Sequence, residues 1–396
     1  MPSADTRLAP PLPLRLPLRT IAREWGRIGC IGFGGPPAHV SLLRELCVSR
    51  RGWLSDEQFE RALAAVNMLP GPASTQLAIY CAWRMRGNSG ALVGGLCFIV
   101  PGLAAILALS MLFLSGSPPA WVRGAGMGAG AAVPAVAIAA GWGVARPILA
   151  RARAGGSRRL ARALAYGLIG AVSAATVGPY LVAVLLACGA FELGRLTHAR
   201  RASLGVHASP LLATALLTAD PGGTGALAWT AFKVGALAFG GGFVIVPLMQ
   251  ADAVSTYHWL THAQFLNAVA LGQVTPGPVT HTVAAVGYGA QGIWGGLLAA
   301  LVAFAPSFSF VLIGAARFER LLVNRRVLAF LAGAAPAAAG AIVGAAVPLT
   351  ESLSQAWQYA TLAGAALFLW RANVVTTLVA AGAVGVAVSL LGGPVG

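Results

Sequence analysis

The sequence predicts an all-α integral membrane protein made of two homologous halves in inverted topology. Three observations carry that expectation: long apolar runs, an internal repeat, and glycine–proline breaks placed inside apolar stretches. The 396 residues are 57% hydrophobic and only 10% charged, whereas a soluble domain carries roughly a quarter charged residues. Runs such as 91–114, 124–145 and 327–347 are each long enough to cross a hydrocarbon core of about 30 Å. Glycine and alanine are abundant inside them, as close packing of membrane helices requires.

The formal charge of +16 comes from 27 basic and 11 acidic residues. The arginines sit in short segments between apolar runs, where the positive-inside rule puts them. The charge therefore points to cytoplasmic loops and not to nucleic acid. Arg146 to Arg162, Arg195 to Arg201 and Arg317 to Arg326 mark three such loops. Residues 1–19, with Arg7, Arg15, Arg19 and several prolines, lack an apolar core and read as a cytoplasmic tail without a signal peptide. Cys30, Cys47, Cys81, Cys97 and Cys188 show no CxxC spacing. They read as small buried apolar residues, with no disulfide, metal site or cofactor implied.

Shifted by 206 positions, residues 29–72 fall on 235–278 without a gap, and 17 of the 44 aligned positions are identical. Trp53-Leu54 lands on Trp259-Leu260, and Gln58-Phe59 on Gln264-Phe265. After one deleted residue, Gly87, Gly90 and Pro101 match Gly292, Gly295 and Pro306. The chain thus divides into repeats at roughly 20–205 and 206–396, a duplication common among secondary transporters. Run 91–114 ends in a stretch of low charge, so that end reads as external. Its mate 293–316 ends in the third basic cluster, so that end reads as internal. Equivalent runs then point opposite ways, which requires the weakly apolar stretch 204–219 to cross. Another apolar run, broken at Gly178-Pro179, is long enough for a hairpin of two short spans. Roughly 9–11 spans result.

Each half holds two glycine–proline knots inside apolar sequence. They are Phe33-Gly34-Gly35-Pro36 and Pro70-Gly71-Pro72 in the first half, and Phe239-Gly240-Gly241-Gly242 and Pro276-Gly277-Pro278 in the second. Proline breaks a helix and glycine permits the positive φ of a sharp turn. Broken backbone at membrane depth survives only inside protein or beside a water-filled cavity. Arg50, Arg51 and Arg61 precede the first Pro-Gly-Pro, and Arg84 and Arg86 follow it. A single span would put one group outside, so the stretches around the knots read as re-entrant hairpins or broken helices.

A proline at the break suits the first position of a new helix, as at Pro36, Pro72 and Pro278. The free N–H groups of such a start, with its positive dipole end, bind anions without a full charge in the membrane. Small donors follow at once: Ser74, Thr75 and Gln76 in one half, Thr280, His281 and Thr282 in the other. Asn67 and Gln273 match just upstream. A tetrahedral dianion suits such a cluster. Lys233, the single lysine, lies within an apolar run and matches Arg27. Both are candidates for attracting substrate, with snorkelling or cytoplasmic placement as the alternative. For His39 and His281 a packing or hydrogen-bonding role is the default over titration. Asp56, Glu57 and Glu60 read as surface capping and loop ion pairs.

These motifs resemble those of the chromate ion transporter family in its two-domain form: a Phe-Gly-Gly-Pro near the start, Gly-Trp-Leu followed by Phe, and Pro-Gly-Pro, all recurring in a second half. Here they are Phe33 to Pro36, Gly52-Trp53-Leu54 with Phe59, and Pro70 to Pro72, then Phe239 to Gly242, Trp259-Leu260 with Phe265, and Gly272 to Pro278. The basic residues before each Phe-Gly-Gly also match, at Arg27 and Lys233; His258 departs from the usual glycine. The resemblance implies chromate efflux across a bacterial cytoplasmic membrane, with lipid bilayer and a small oxyanion as partners, and it allows a homodimer. A permease for a related dianion such as sulfate is the alternative. An enzyme acting on phosphate groups or reducing chromate would need a nucleophile–base pair or redox site, and no HExxH, phosphate loop or paired-cysteine motif appears.

Overall fold

In the computed structural model, residues 15–67, 69, 71–176, 180–198, 222–238, 245–315 and 324–395 are described. Pro70 and Phe239 to Gly242 lie outside them, as do Gly178-Pro179, stretch 204–219 and most of the N-terminal tail. No strand occurs among the described residues. The first half runs α1 (Leu18–Ile31), α2 (Pro36–Arg44) with a π-helical turn (Glu45–Arg50), α3 (Asp56–Val66), α4 (Ala73–Phe113), α5 (Ala120–Ala154), α6 (Ser157–Thr176) and α7 (Leu181–His198). The second has α8 (Thr224–Leu237), α9 (Ile245–Gln250) with its π-helical turn (Ala251–Thr256), and α10 (His262–Val274). A 3₁₀ turn (Val279–His281) then leads into α11 (Thr282–Gly314), followed by α12 (Arg325–Gly344), α13 (Ala346–Glu351), α14 (Ala356–Phe368) and α15 (Val374–Leu390).

The repeat is visible in backbone detail. Both π-helical turns fall at matching positions, 45–50 and 251–256. Both α3 and α10 open with a capping box, Ser55 with Gln58 and Thr261 with Gln264. These reciprocal bonds satisfy amides that a helix start leaves free. Among the described residues, four stretches are long and apolar enough to cross a membrane: Ala73–Phe113, Ala120–Ala154, Val279–Gly314 and Arg325–Glu351.

Helix α4 is not one straight span. Its 41 residues would reach about 60 Å, twice the hydrocarbon thickness. The backbone breaks at Arg86 and Gly87, where Gly87 has φ +61 and ψ −149. The chain there doubles back: Gly90 and Gly94 pack on Ala82, and Gly95 on Ile79. Helix α11 breaks in the same way at Gln291 and Gly292 (φ +65), with Gly295 against Gly287 and Gly296 against Ala284. Each is therefore a hairpin of a short arm and a long arm. The short arm 73–85 and the 11-residue α3 each rise about 16–20 Å, roughly half a bilayer. A stretch that enters, turns at Pro-Gly-Pro and leaves on the same side is what the flanking arginines require.

The long arms 88–113 and 293–314 cross the centre against each other. Gly95 meets Phe308, and Gly296 meets Leu107. Low numbers in one arm face high numbers in the other, so equivalent helices run antiparallel, as inverted halves must. Helix α1 lies along α4 through its apolar face, Ile21, Trp25 and Ile28, while Trp25 Nε1 donates to the Ala78 carbonyl at 2.8 Å. Gly29 packs on the Phe98 carbonyl, and its repeat mate Gly235 packs on that of Ala303. Outside this centre, Gly124 and Gly128 of α5 seat against Gly385 and Ala381 of α15. Small residues at such crossings let backbones approach. Contrary to the sequence expectation for all five cysteines, Cys97 is only partly buried and Cys30 is exposed, the latter because it lies on the outer side of α1, away from Ile28 and Gly29.

A Cβ at residue 235 would overlap the Ala303 carbonyl, whereas Gly364 in α14 has open space. Gly235→Ala is expected to destabilise by about 1–3 kcal/mol, read as a lower melting temperature in detergent, with Gly364→Ala unchanged as the control.

Candidate functional site

The broken segments of the two halves meet at the centre. Helix α1 ends at Ile31, and the chain turns through Gly34 (φ +94) and Gly35 (φ +73). L side chains rarely adopt such angles, so glycine is required at this turn. Helix α2 starts at Pro36, as expected for a first-turn proline. At the other knots the start lies one residue later: Pro72 and Pro278 are the caps before Ala73 and Val279. The missing proline N–H makes either position tolerable, and the extended ψ of each cap turns the chain into its helix. Gly71 and Gly277 hold φ +116 and +92. No side chain caps the starts at Pro36, Ala73 or Val279. Pro36 and Pro37 carry no N–H, so the first amide of that helix start belongs to Ala38, whereas the starts at Ala73 and Val279 present amides that no side chain caps.

One carbonyl ties the halves together. Gly32 O accepts the Gly277 N–H at 2.9 Å and the His39 ring at Nε2, also 2.9 Å. A carbonyl only accepts, so Nε2 carries a proton; in the neutral ring Nδ1 then accepts from Ser74 Oγ at 3.2 Å. The Ser74 hydroxyl is thereby committed to His39. Phe98 closes this ring edge-on, and Phe304 does the same for His281. Gly35 packs on Val279, and Gly102 lets the Pro276 carbonyl and the His281 ring approach. Across the pseudo-twofold, Gly71 lies against the Gly235 carbonyl of α8. Each Pro-Gly-Pro turn therefore seats beside the first knot, or the helix leading to it, of the opposite half.

Around this crossing stand polar groups that protein leaves unanswered. Thr75 Oγ1, Thr280 Oγ1, Gln273 Nε2 and both ring nitrogens of His281 are buried with no partner of hydrogen-bonding geometry; the Ile99 carbonyl is a weak neighbour of His281. Each such group costs about 1–3 kcal/mol if nothing answers it, and native proteins leave few of them. Thr75 and His281 are repeat mates at the two helix starts. Hydroxyl, amide and imidazole N–H groups are donors, so the complement is a ligand rich in acceptors. The other expected residues sort differently. Thr282 bonds its own turn at Val279 O, 2.8 Å. Asn67 and Gly34 are exposed, and Phe33 is 44% exposed.

The two basic residues are in ion pairs. Lys233 Nζ lies 2.5 Å from Asp252 Oδ2, and Thr230 Oγ1 donates to the same oxygen at 2.8 Å. Arg27 approaches Glu24 at 3.7 Å, and Glu24 also binds Arg50 and Arg51 at 2.6 and 2.7 Å. Gly235 and Gly29 face the long arms; two residues earlier a helix has turned by roughly 200°, so Lys233 and Arg27 face the other way. Sequence reasoning singled out neither Glu24 nor Asp252. The signal was available for Asp252, an acid within an otherwise apolar run, 19 positions after the single lysine. The halves use the same device with charges exchanged. In the first, the acid is on α1 and the bases on the π-helical turn and at Arg51; in the second, the base is on α8 and the acid on the turn. Asp56, Glu57 and Glu60 form surface pairs with Arg44 and Arg61, as their positions suggested.

Comparison with known proteins gives one family. A family model described as chromate transporter matches residues 19–193 and 225–386. A chromate transport protein of Pseudomonas aeruginosa is 32% identical over 407 residues, covering 96% of this chain and 94% of that protein. A chromate transport protein of Cupriavidus metallidurans is 30% identical, covering 84% and 83%. A probable chromate transport protein of Synechococcus elongatus is 29% identical, covering 84% of each. No solved structure matches.

Removing one partner of a buried pair costs about 3–5 kcal/mol, because the other charge is left alone. Lys233→Met is expected to lower the melting temperature in detergent strongly. Adding Asp252→Leu is expected to restore most of the loss. Equal melting of the single and double variants would show the pair to be uncoupled.

Proposed function

The chain belongs to the chromate transporter family, and from that premise we propose that it exports chromate from the cytoplasm. In this reading a dianion is held between helix starts of two inverted halves that open alternately to the two sides. One observation carries it: unpartnered buried donors at repeat-related helix starts, Thr75 in one half and Thr280 with His281 in the other. Four acceptor oxygens on a tetrahedral dianion answer such a set, and helix N-termini add positive potential without a charged side chain. Gln273 Nε2 supplies a further donor. Pro36, Gly35, Gly71, Pro72 and Pro276 to Pro278 shape the backbone around it, and Pro70 and Phe239 to Gly242 complete their knots by sequence. Lys233 and Arg27 act indirectly here, by holding their helices through Asp252 and Glu24.

The membrane potential is sufficient as the driving force. One elementary charge crossing 100 mV is worth about 2.3 kcal/mol, so a dianion leaving an inside-negative cell gains about 4.6 kcal/mol, roughly a thousandfold gradient. The protein sits in this reading in a bacterial cytoplasmic membrane and needs no enzyme chemistry.

Reconstituted vesicles with an imposed potassium potential test this. Chromate flux is expected to rise with potential in the direction that moves the dianion to the positive side. Flux independent of potential rejects the electrogenic mechanism, and no chromate flux rejects the substrate. Thr280→Val and His281→Ala are each expected to raise the half-saturating chromate concentration about tenfold, the loss of roughly one charge-assisted hydrogen bond. Competition by sulfate at equal potency would favour a general dianion carrier.

A further inference from the structure

A groove of about 480 Å³ opens between α7, α8 and α12. We propose that it seats one acyl chain of an anionic phospholipid whose phosphate rests on Arg326. Leu186 and Leu193 of α7, Leu237 at the end of α8, and Phe330 and Ala334 of α12 line it. Among the described residues of its wall, only Arg326 is polar. Such a wall offers an oxyanion no answer to its lost hydration, so the groove is no arm of the central crossing.

The groove is polarised along its length. Arg326, Phe330 and Ala334 follow one another at four-residue spacing on α12. One helix face thus carries a guanidinium at its start and apolar side chains beyond it. From Arg326 to Ala334 the helix rises about 12 Å, most of one leaflet of the hydrocarbon core. Gly189 of α7 packs on the Phe330 ring, and Gly333 of α12 on the Cys188 carbonyl. The two helices therefore run antiparallel and bring Arg195 and Arg326 to the same end, which the arginine clusters mark as cytoplasmic. Leu186 is 48% exposed, so the groove is open on its flank, where a chain enters from the bilayer.

Charge at the mouth selects the headgroup. Glu192 is shared by Arg162 at 2.7 Å and Arg195 at 3.5 Å, one carboxylate against two guanidiniums. Arg325 and Arg326 are exposed, and neither has an ion-pair partner among the described residues. Stretch 317–326 holds four arginines against the single acid Glu319. A guanidinium meets a phosphate through paired, charge-assisted hydrogen bonds, and basic pockets between membrane helices on the cytoplasmic side suit anionic headgroups. A zwitterionic lipid fills the same groove but brings its own positive group to an already positive rim. The acyl chain fills the seam between the outer pair, α7 and α12, and α8, the helix that leads into the fourth knot. Its binding does not depend on which ion the protein carries.

The test uses the full chain in phosphatidylcholine vesicles that contain phosphatidylglycerol with a diazirine midway along one acyl chain. After irradiation, labelled peptides are mapped by mass spectrometry. Label is expected in residues 185–193 and 327–334, about tenfold above that from a phosphatidylcholine probe with the same chain. Arg326→Gln leaves the apolar wall in place and is expected to erase that preference. Leu186→Trp, at a position already half exposed, narrows the groove and is expected to lower labelling of these peptides by both probes. Equal labelling by the two lipids would overturn the anionic assignment, as would an undiminished preference in Arg326→Gln. Label spread evenly over exposed apolar residues elsewhere, such as Leu168 and Trp370, would overturn the groove itself.

Discussion

A broken helix at the middle of a bilayer has no water to satisfy its backbone, and the structure is arranged around that constraint. Every unpaired amide or carbonyl there must find a partner inside the protein. The Gly32 carbonyl, released where α1 ends, is answered twice, by Gly277 of the opposite half and by His39. The first bond joins the halves through main chain alone, so no side-chain substitution removes it directly. It needs glycine on both sides. Gly277 sits at φ +92, and at Gly32 a Cβ would press on the His39 ring. The histidine completes the arrangement by passing the polarity on to Ser74 at the start of α4. A local defect, the end of a helix, thereby becomes the joint of the whole molecule.

Inverted duplication explains why such a joint sits at the centre. Antiparallel long arms place the Pro-Gly-Pro turn of each half beside the region of the first knot of the other. The decoration is nevertheless unequal. One half commits its hydroxyl donor Ser74 to a histidine, while the other leaves Thr280 and His281 unanswered. The ion pairs that fasten α1 and α8 to the turns after α2 and α9 carry opposite polarity. Two halves with the same backbone and different side chains are equal in shape but not in energy.

Burying Lys233 beside Asp252 adds no net charge to the membrane interior, and the Thr230 hydroxyl satisfies a further lone pair of the carboxylate. The pair costs desolvation that its attraction offsets only with good geometry, which makes it a positional fastening more than a source of stability. The positive potential available to an anion at the centre then falls to helix starts and neutral donors. Under the proposed function, such groups hold a dianion with no full opposite charge to be broken on release.

The sequence by itself determined the membrane class, the duplication, the inversion and the location of the breaks. Each of these is written in short-range chemistry: apolar run length, arginine placement, and glycine or proline where a helix cannot continue. It also indicated that the first Pro-Gly-Pro stretch enters and leaves on one side, because arginines on both flanks forbid a crossing. What tertiary structure decided is which polar groups are already taken. Lys233 and Thr75 are both polar residues in apolar surroundings, and nothing local distinguishes them. Asp252, 19 positions away along the chain, neutralises the first, while nothing in the described fold reaches the second. Partnership between distant residues depends on how helices cross, and that is set by packing over the whole chain.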